Sequence, residues 1–246
     1  MLRSIKELRG YTIHATDDEI GKVHDFYFDD QSWTIRYLVV ETGNWLMGRR
    51  MLISPIALGT PRWETQALPV KLTKEQVESS PPIDTDKPVF RQMEEELHTH
   101  YGWPPYWSST RALTAVKVIE GKVENETTEQ LALRSTREVV GYDIQASDGK
   151  VGHVDDFIVG DESWIIRYMV VDTRDWLPGR KVLVAPAWIG AVAWPERNVY
   201  VDLSRKAVKN SPEFDPTATV NQEYELKLYD YYGRPKYWTR AKSEKK

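Results

Sequence analysis

Gln31 to Arg50 reads QSWTIRYLVVETGNWLMGRR, and Glu162 to Lys181 reads ESWIIRYMVVDTRDWLPGRK. Trp33 and Trp164 are 131 positions apart, as are Trp45 and Trp176. The match continues without a gap on both sides. GYTIHA (10–15) lies over GYDIQA (141–146), IGKVHDF (20–26) over VGHVDDF (151–157), and GRRMLISPIALG (48–59) over GRKVLVAPAWIG (179–190). VKLTKEQVESSP (70–81) lies over VDLSRKAVKNSP (201–212), and HYGWPPYW (100–107) over YYGRPKYW (231–238). Two repeats are too few for a solenoid, so each must bury a core of its own. The chain reads as a tandem duplication of a whole domain. Residues 1–107 form the first repeat with its tail and 132–240 the second. Residues 108–131 are a linker without counterpart, and 241–246 a charged, disordered end.

Within one copy, Trp33, Ile35, Tyr37 and Val39 alternate with Thr34, Arg36, Leu38 and Val40, which predicts a strand. KVHDFYF (22–28) predicts the strand before it, with DDQS (29–32) as the turn. GYTIHA is an earlier strand, and RMLIS (50–54) a later one stopped by Pro55. WETQALPVKL (63–72) predicts a further hairpin-like pair. Thr73 stands where an N-cap belongs, ahead of a short helix in KEQVESS. FRQMEEELHTHYG (90–102) predicts a second helix with Gly102 at its C-terminal end. The fold class is therefore mainly β. Two small barrels stand in tandem, each with one or two short helices and an aromatic C-terminal extension.

At this point the residues carry a resemblance. The segments IGKVHDF and VGHVDDF, IRYLVVET and IRYMVVDT, the loops WLMGRR and WLPGRK, and LISP and LVAP together resemble the PRC-barrel domain family. The resemblance covers about residues 4–80 and 135–211. It implies a small β-barrel like the cytoplasmic domain of the photosynthetic reaction-centre H subunit, and a role as an adaptor on larger assemblies. A ribosome maturation factor with such a domain also carries an N-terminal domain that has no match here, and the H subunit has a membrane helix that has none.

The chain has 246 residues, a formal net charge of −4 and no cysteine. That balance counts against a nucleic-acid partner, and the missing thiols exclude disulfides and cysteine metal sites. The N-terminal stretch has no signal-like apolar core, and no apolar run reaches the length of a membrane helix. The expectation is a cytoplasmic protein of bacterial style without membrane insertion.

The repeat also filters candidate chemistry. The histidines at 14, 24, 98, 100 and 153 lie over Gln145, Asp155, Tyr229, Tyr231 and Lys22, so none recurs. His98 and His100 read as surface residues rather than a zinc pair. Gly21 and Gly152, Asp25 and Asp156, Trp33 and Trp164, and Arg36 and Arg167 recur and read as structural positions. For the two aspartates this means a carboxylate satisfied by hydrogen bonds in mid-strand. Nucleotide loops and a nucleophile elbow are absent. The expectation is no enzyme, no metal and no cofactor.

What remains is surface. Trp45, Arg49 and Arg50, with Trp176, Arg180 and Lys181, read as a partner-binding set, since Trp, Tyr and Arg dominate binding hot spots. Tyr101, Tyr106 and Trp107, with Tyr232, Tyr237 and Trp238, read as tail packing or a domain contact. The leading expectation is a non-catalytic scaffold or adaptor with an unidentified protein partner, or one that self-associates into a homo-oligomer. The alternatives are an RNA- or ribosome-associated assembly factor and an accessory of a membrane electron-transfer complex.

Overall fold

The computed structural model describes residues 1–81, 89–107, 133–173 and 180–240. The expected linker and charged end fall outside these residues. In the first repeat, strands β2 (Thr12–His14), β3 (Glu19–Asp29), β4 (Thr34–Glu41), β5 (Arg50–Ile53) and β6 (Ala67–Pro69) form one sheet in the order β5-β4-β3-β2-β6. The meander β2–β5 is antiparallel, whereas β6 runs parallel to β2. The outer edge of β6 bonds back to the segment after β5, with the Gly59 N–H donating to the Pro69 carbonyl at 2.8 Å. The sheet thus curls toward closure, which protects its edges.

The hairpin expected over 63–72 is a single strand in this repeat. In the second repeat a complete hairpin forms slightly earlier, β12 (Ile189–Ala193) with β13 (Asn198–Val201), over positions equivalent to 58–70. Pro69 contributes to the difference: it stands where the second repeat has Tyr200, paired with Ala191, and it offers that ladder no N–H, so only the isolated bridges of Leu58 with Val70 and Arg62 with Ala67 form. The helix α2 (Lys74–Glu78) begins with a full capping box between Thr73 and Gln76. The helix α3 (Arg91–Tyr101) ends on Gly102 in the left-handed conformation, at φ 68°.

The first strand of each repeat does not join the sheet that follows it in sequence. Strand β1 (Leu2–Ser4) pairs antiparallel with β9 (Gly149–Gly160) of the second repeat. Strand β7 (Arg134–Ser135), which opens the second repeat, pairs antiparallel with β3. The two exchanged strands lie within the same tripeptide, Leu-Arg-Ser, at 2–4 and 133–135. The chain accordingly divides into two compact units, one of Met1–Leu8, Ser32–Thr34 and Thr136–Lys246, the other of Arg9–Gln31 and Ile35–Ser135. The boundaries expected at 1–107 and 132–240 follow the repeat in sequence, and the units depart from them where the strands trade places.

In the unit built on the second repeat, β8 (Asp143–Ala146), β9, β10 (Ile166–Asp172), β11 (Lys181–Val184), β12 and β13 follow the order β11-β10-β9-β8-β13-β12, with β1 added on β9. The cores are aliphatic and aromatic. Phe26, Phe28 and Tyr37 are fully buried in one unit, and Phe157 and Tyr168 in the other. In the first of these, Leu133 of the incoming tripeptide joins a cluster with Tyr27, Tyr37, Val39, Leu52, Val89 and Leu97. Among the described residues no helix is long and apolar enough to cross a membrane.

Gly21 and Gly152 sit where the long strand passes under the end of its neighbour. A Cβ on Gly21 would lie 2.2 Å from the Glu41 carbonyl oxygen, and one on Gly152 2.0 Å from that of Asp172. The obstacle is backbone, so it cannot rotate away. Gly21→Ala and Gly152→Ala are expected to lower unfolding free energy by about 2 kcal/mol or more each, measured by urea denaturation. Gly43, where an added Cβ would meet nothing within 4 Å, is the control: Gly43→Ala is expected to shift stability by well under that amount.

Candidate functional site

The loop between β4 and β5 is braced from within. Thr42 donates its hydroxyl to the Arg49 carbonyl at 2.7 Å, and the Gly48 N–H donates to the Gly43 carbonyl at 3.1 Å. A 3-10 turn over Asn44–Leu46 carries Trp45. The half-buried indole donates its Nε1–H to the Ile20 carbonyl at 2.9 Å, and Lys74 Nζ lies 4.7 Å over the ring. Met47, with φ 52°, stands 98% exposed at the tip. Arg49 turns inward and donates to the Ser80 carbonyl at 2.9 Å. Arg50 is half-buried on β5, in register opposite Glu41.

The second repeat keeps the frame: Thr173 donates to the Arg180 carbonyl at 2.8 Å, and Arg180 donates to the Ser211 carbonyl. Trp176 lies outside the described residues. Lys181 is engaged with Asp155 at 2.6 Å, whose other oxygen takes Lys6 at 2.6 Å. Burial alone would raise the Asp155 carboxyl, but the two lysines outweigh it and hold it below the ordinary range. The arginines and lysine of the expected binding set are therefore spent largely on the fold. The exposed apolar group is Met47, which the repeat comparison passed over because the second repeat has Pro178 there.

The structural positions are occupied as follows. Ser135 donates its hydroxyl to Asp25 at 2.5 Å, and Ser4 donates to Asp156 at 2.5 Å. The Lys6 N–H adds a bond to the other Asp156 oxygen at 3.1 Å. Both carboxylates are almost fully buried, and burial pushes Asp156 above the usual carboxylate range. Trp33 and Trp164 close their hairpin turns with φ of 51° and 55°. Arg36 donates to Asp29 at 2.9 Å and lies 3.8 Å over the Tyr106 ring, while Arg167 lies 4.2 Å over Tyr237.

Those last contacts lead to the tails, which fold onto the barrel of their own repeat. Glu94 on α3 is completely buried. It accepts from Tyr106 of the tail at 2.5 Å and from Tyr37 of β4 at 3.2 Å, and Arg91 approaches its other oxygen at 3.0 Å. Arg91 also lies 4.4 Å over Trp107, and Tyr101 stacks on Trp103 at 4.3 Å. In the second repeat Glu225, on the helix Gln222–Tyr232, accepts from Tyr168 at 2.7 Å and Tyr237 at 2.9 Å. Trp238 packs edge-on against Tyr229 at 5.1 Å, and Tyr232 packs against Trp188 at 4.7 Å.

His98 corrects the expectation of a surface histidine, because it is buried inside this first tail. Its Nδ1–H donates to the Pro104 carbonyl at 3.1 Å, which leaves Nε2 as an acceptor 2.9 Å from the Tyr37 hydroxyl. Tyr37 has one proton and two neighbours that want it, Glu94 and His98. The Tyr37 proton serves both only if Glu94 is protonated, in which case Glu94 donates to the Tyr37 oxygen and Tyr37 donates to His98. The directions agree: burial raises Glu94, outweighing Tyr106 and Arg91, and burial lowers His98. His100 is exposed and bonded to the Gln76 carbonyl at 2.9 Å. Among the described residues no three His, Asp or Glu groups are placed to share a metal.

A raised carboxyl contributes stability that is full below its unfolded value and is lost as pH rises through the folded value. A depressed histidine contributes stability above its unfolded value and loses it as pH falls through the folded one. Glu94→Gln removes the first effect. The stability of the native protein relative to this variant is expected to decline as pH rises above 4.5, by at most about 1.4 kcal/mol per pH unit, in urea titrations across that range. Tyr106→Phe and Tyr237→Phe are each expected to cost about 1–3 kcal/mol, because each leaves a buried carboxyl short of a donor.

No curated protein matches the chain. Residues 2–76 match the family model of the PRC-barrel domain. The matched segment begins with β1, the strand that seats on the second repeat, and runs through β6 into α2. The first repeat carries a PRC-barrel domain.

Proposed function

We propose that the protein is a non-catalytic scaffold that binds a protein partner through the loop tip at Met47. The observation that carries the reading is a methionine held fully exposed on a braced loop. A side chain that is apolar and adaptable, fixed on a rigid base, suits a protein interface. Trp45 supplies the base, clamped by the Ile20 carbonyl beneath and Lys74 above.

The fate of the recurring polar groups supports the non-catalytic part. Asp25, Asp156, Glu94, Glu225, Arg49 and Arg180 each accept or donate within the fold. An acid or base at work needs contact with a substrate, and these groups face the interior of their own units. The adaptor role that the PRC-barrel resemblance implies points the same way.

The test is affinity capture of the tagged full chain from its native lysate, with nuclease, comparing wild type with Met47→Asp. A nuclease-resistant protein that the variant recovers about tenfold less is the expected result, a loss of about 1.4 kcal/mol. Ribosomal material that nuclease removes, and that Met47→Asp leaves unchanged, would replace this reading with the RNA-associated one.

A further inference from the structure

We propose that the edge of β9 is a strand-accepting site that a second copy of this chain fills, trading its Leu2–Ser4 strand between molecules to give an exchanged dimer. The site is compact. Three residue pairs join β1 to β9, Leu2 with Gly160, Arg3 with Val159 and Ser4 with Ile158. Three side-chain contacts fix the register, Arg3 on Asp161, Ser4 on Asp156 and Lys6 on Asp155. Recognition thus consists of a short extended backbone, a hydroxyl at one position, and cations one residue before it and two residues after it. This is strand addition of the kind that sheet edges use to bind peptides.

Two observations point to a second copy as the donor. First, the site already takes a strand that lies about 150 residues away in sequence, so the hairpin it completes does not depend on a neighbouring segment. Second, the equivalent site on β3 takes the same tripeptide. Ser135 meets Asp25 as Ser4 meets Asp156, and Arg134 reaches Asp30 at 3.2 Å as Arg3 reaches Asp161 at 3.6 Å. One strand sequence serves both sites, so neither discriminates by sequence between a donor in the same chain and one in another. A strand of three residues is also short enough to open by local unfolding.

The contacts in an exchanged dimer equal those in the monomer, so concentration decides between them. A tethered strand competes at an effective concentration of order mM. The monomer therefore prevails in dilute solution, and the dimer forms when chains fold at comparable concentration. This inference is independent of the partner-binding reading, because it concerns neither Met47 nor its loop.

The chain has no cysteine, so introduced thiols report contacts cleanly. Chains carrying Arg3→Cys and chains carrying Val159→Cys are refolded together at about 1 mM and at about 10 μM, then oxidised with oxidised glutathione. A disulfide between the two chains, at least about tenfold more abundant at the higher concentration, is expected. Glu64→Cys, an exposed position on another surface, replaces Val159→Cys as the out-of-register control and should trap far less. Wild-type protein gives a readout without thiols. Light scattering should find a dimer after refolding at about 1 mM that survives dilution but reverts to monomer after refolding at about 10 μM. Monomer under every condition, or equal trapping by Cys at 64 and 159, would overturn the proposal.

Discussion

A serine hydroxyl meeting a buried carboxylate in mid-strand is the contact on which the architecture turns. A carboxylate inside a sheet is costly unless its oxygens are satisfied. Asp25 and Asp156 have that need at equivalent places, and in each case the donor comes from the tripeptide of the other repeat. The exchange thus supplies hydrogen bonds as well as a strand. It also explains why the chain must be read as two units that each draw on both ends of the sequence. Neither repeat completes its own sheet.

The tails follow the same logic one layer out. A glutamate on the tail helix is buried against a strand tyrosine, and a tail tyrosine returns to close over it. The two repeats then diverge. Glu225 accepts from two phenols, while Glu94 shares its tyrosine with His98, a residue the second repeat replaces with Tyr229. The first tail consequently sets an imidazole against the strand phenol, where the second sets another phenol. Gln222 in place of Arg91 completes the divergence, so the halves share a fold and differ in electrostatics.

Much of this was legible before any coordinates. Alternation placed the strands, Thr73 and Gly102 marked helix ends, and the fixed offset made two barrels the economical reading. The exchange was not legible, because the tripeptide and its acceptor aspartate are the same in both repeats, and identical patterns cannot say which strand meets which sheet. His98 was missed for the opposite reason: comparing repeats selects residues that recur, and this one does not. Tyr37 and Tyr168 did recur, at the buried positions of an alternating strand, where a phenol always needs a partner. Arg49 and Arg180 looked like surface charge because sequence cannot show a guanidinium turning inward to backbone carbonyls.

The most direct test is a pair of double-mutant cycles on stability. Ser4→Ala with Asp156→Asn, and Ser135→Ala with Asp25→Asn, should each show a coupling of about 1 kcal/mol or more. The crossed cycles, Ser4 with Asp25 and Ser135 with Asp156, should be additive within about 0.5 kcal/mol. Coupling of Ser4 to Asp25 instead would mean that each repeat keeps its own first strand, and the exchanged architecture would be wrong.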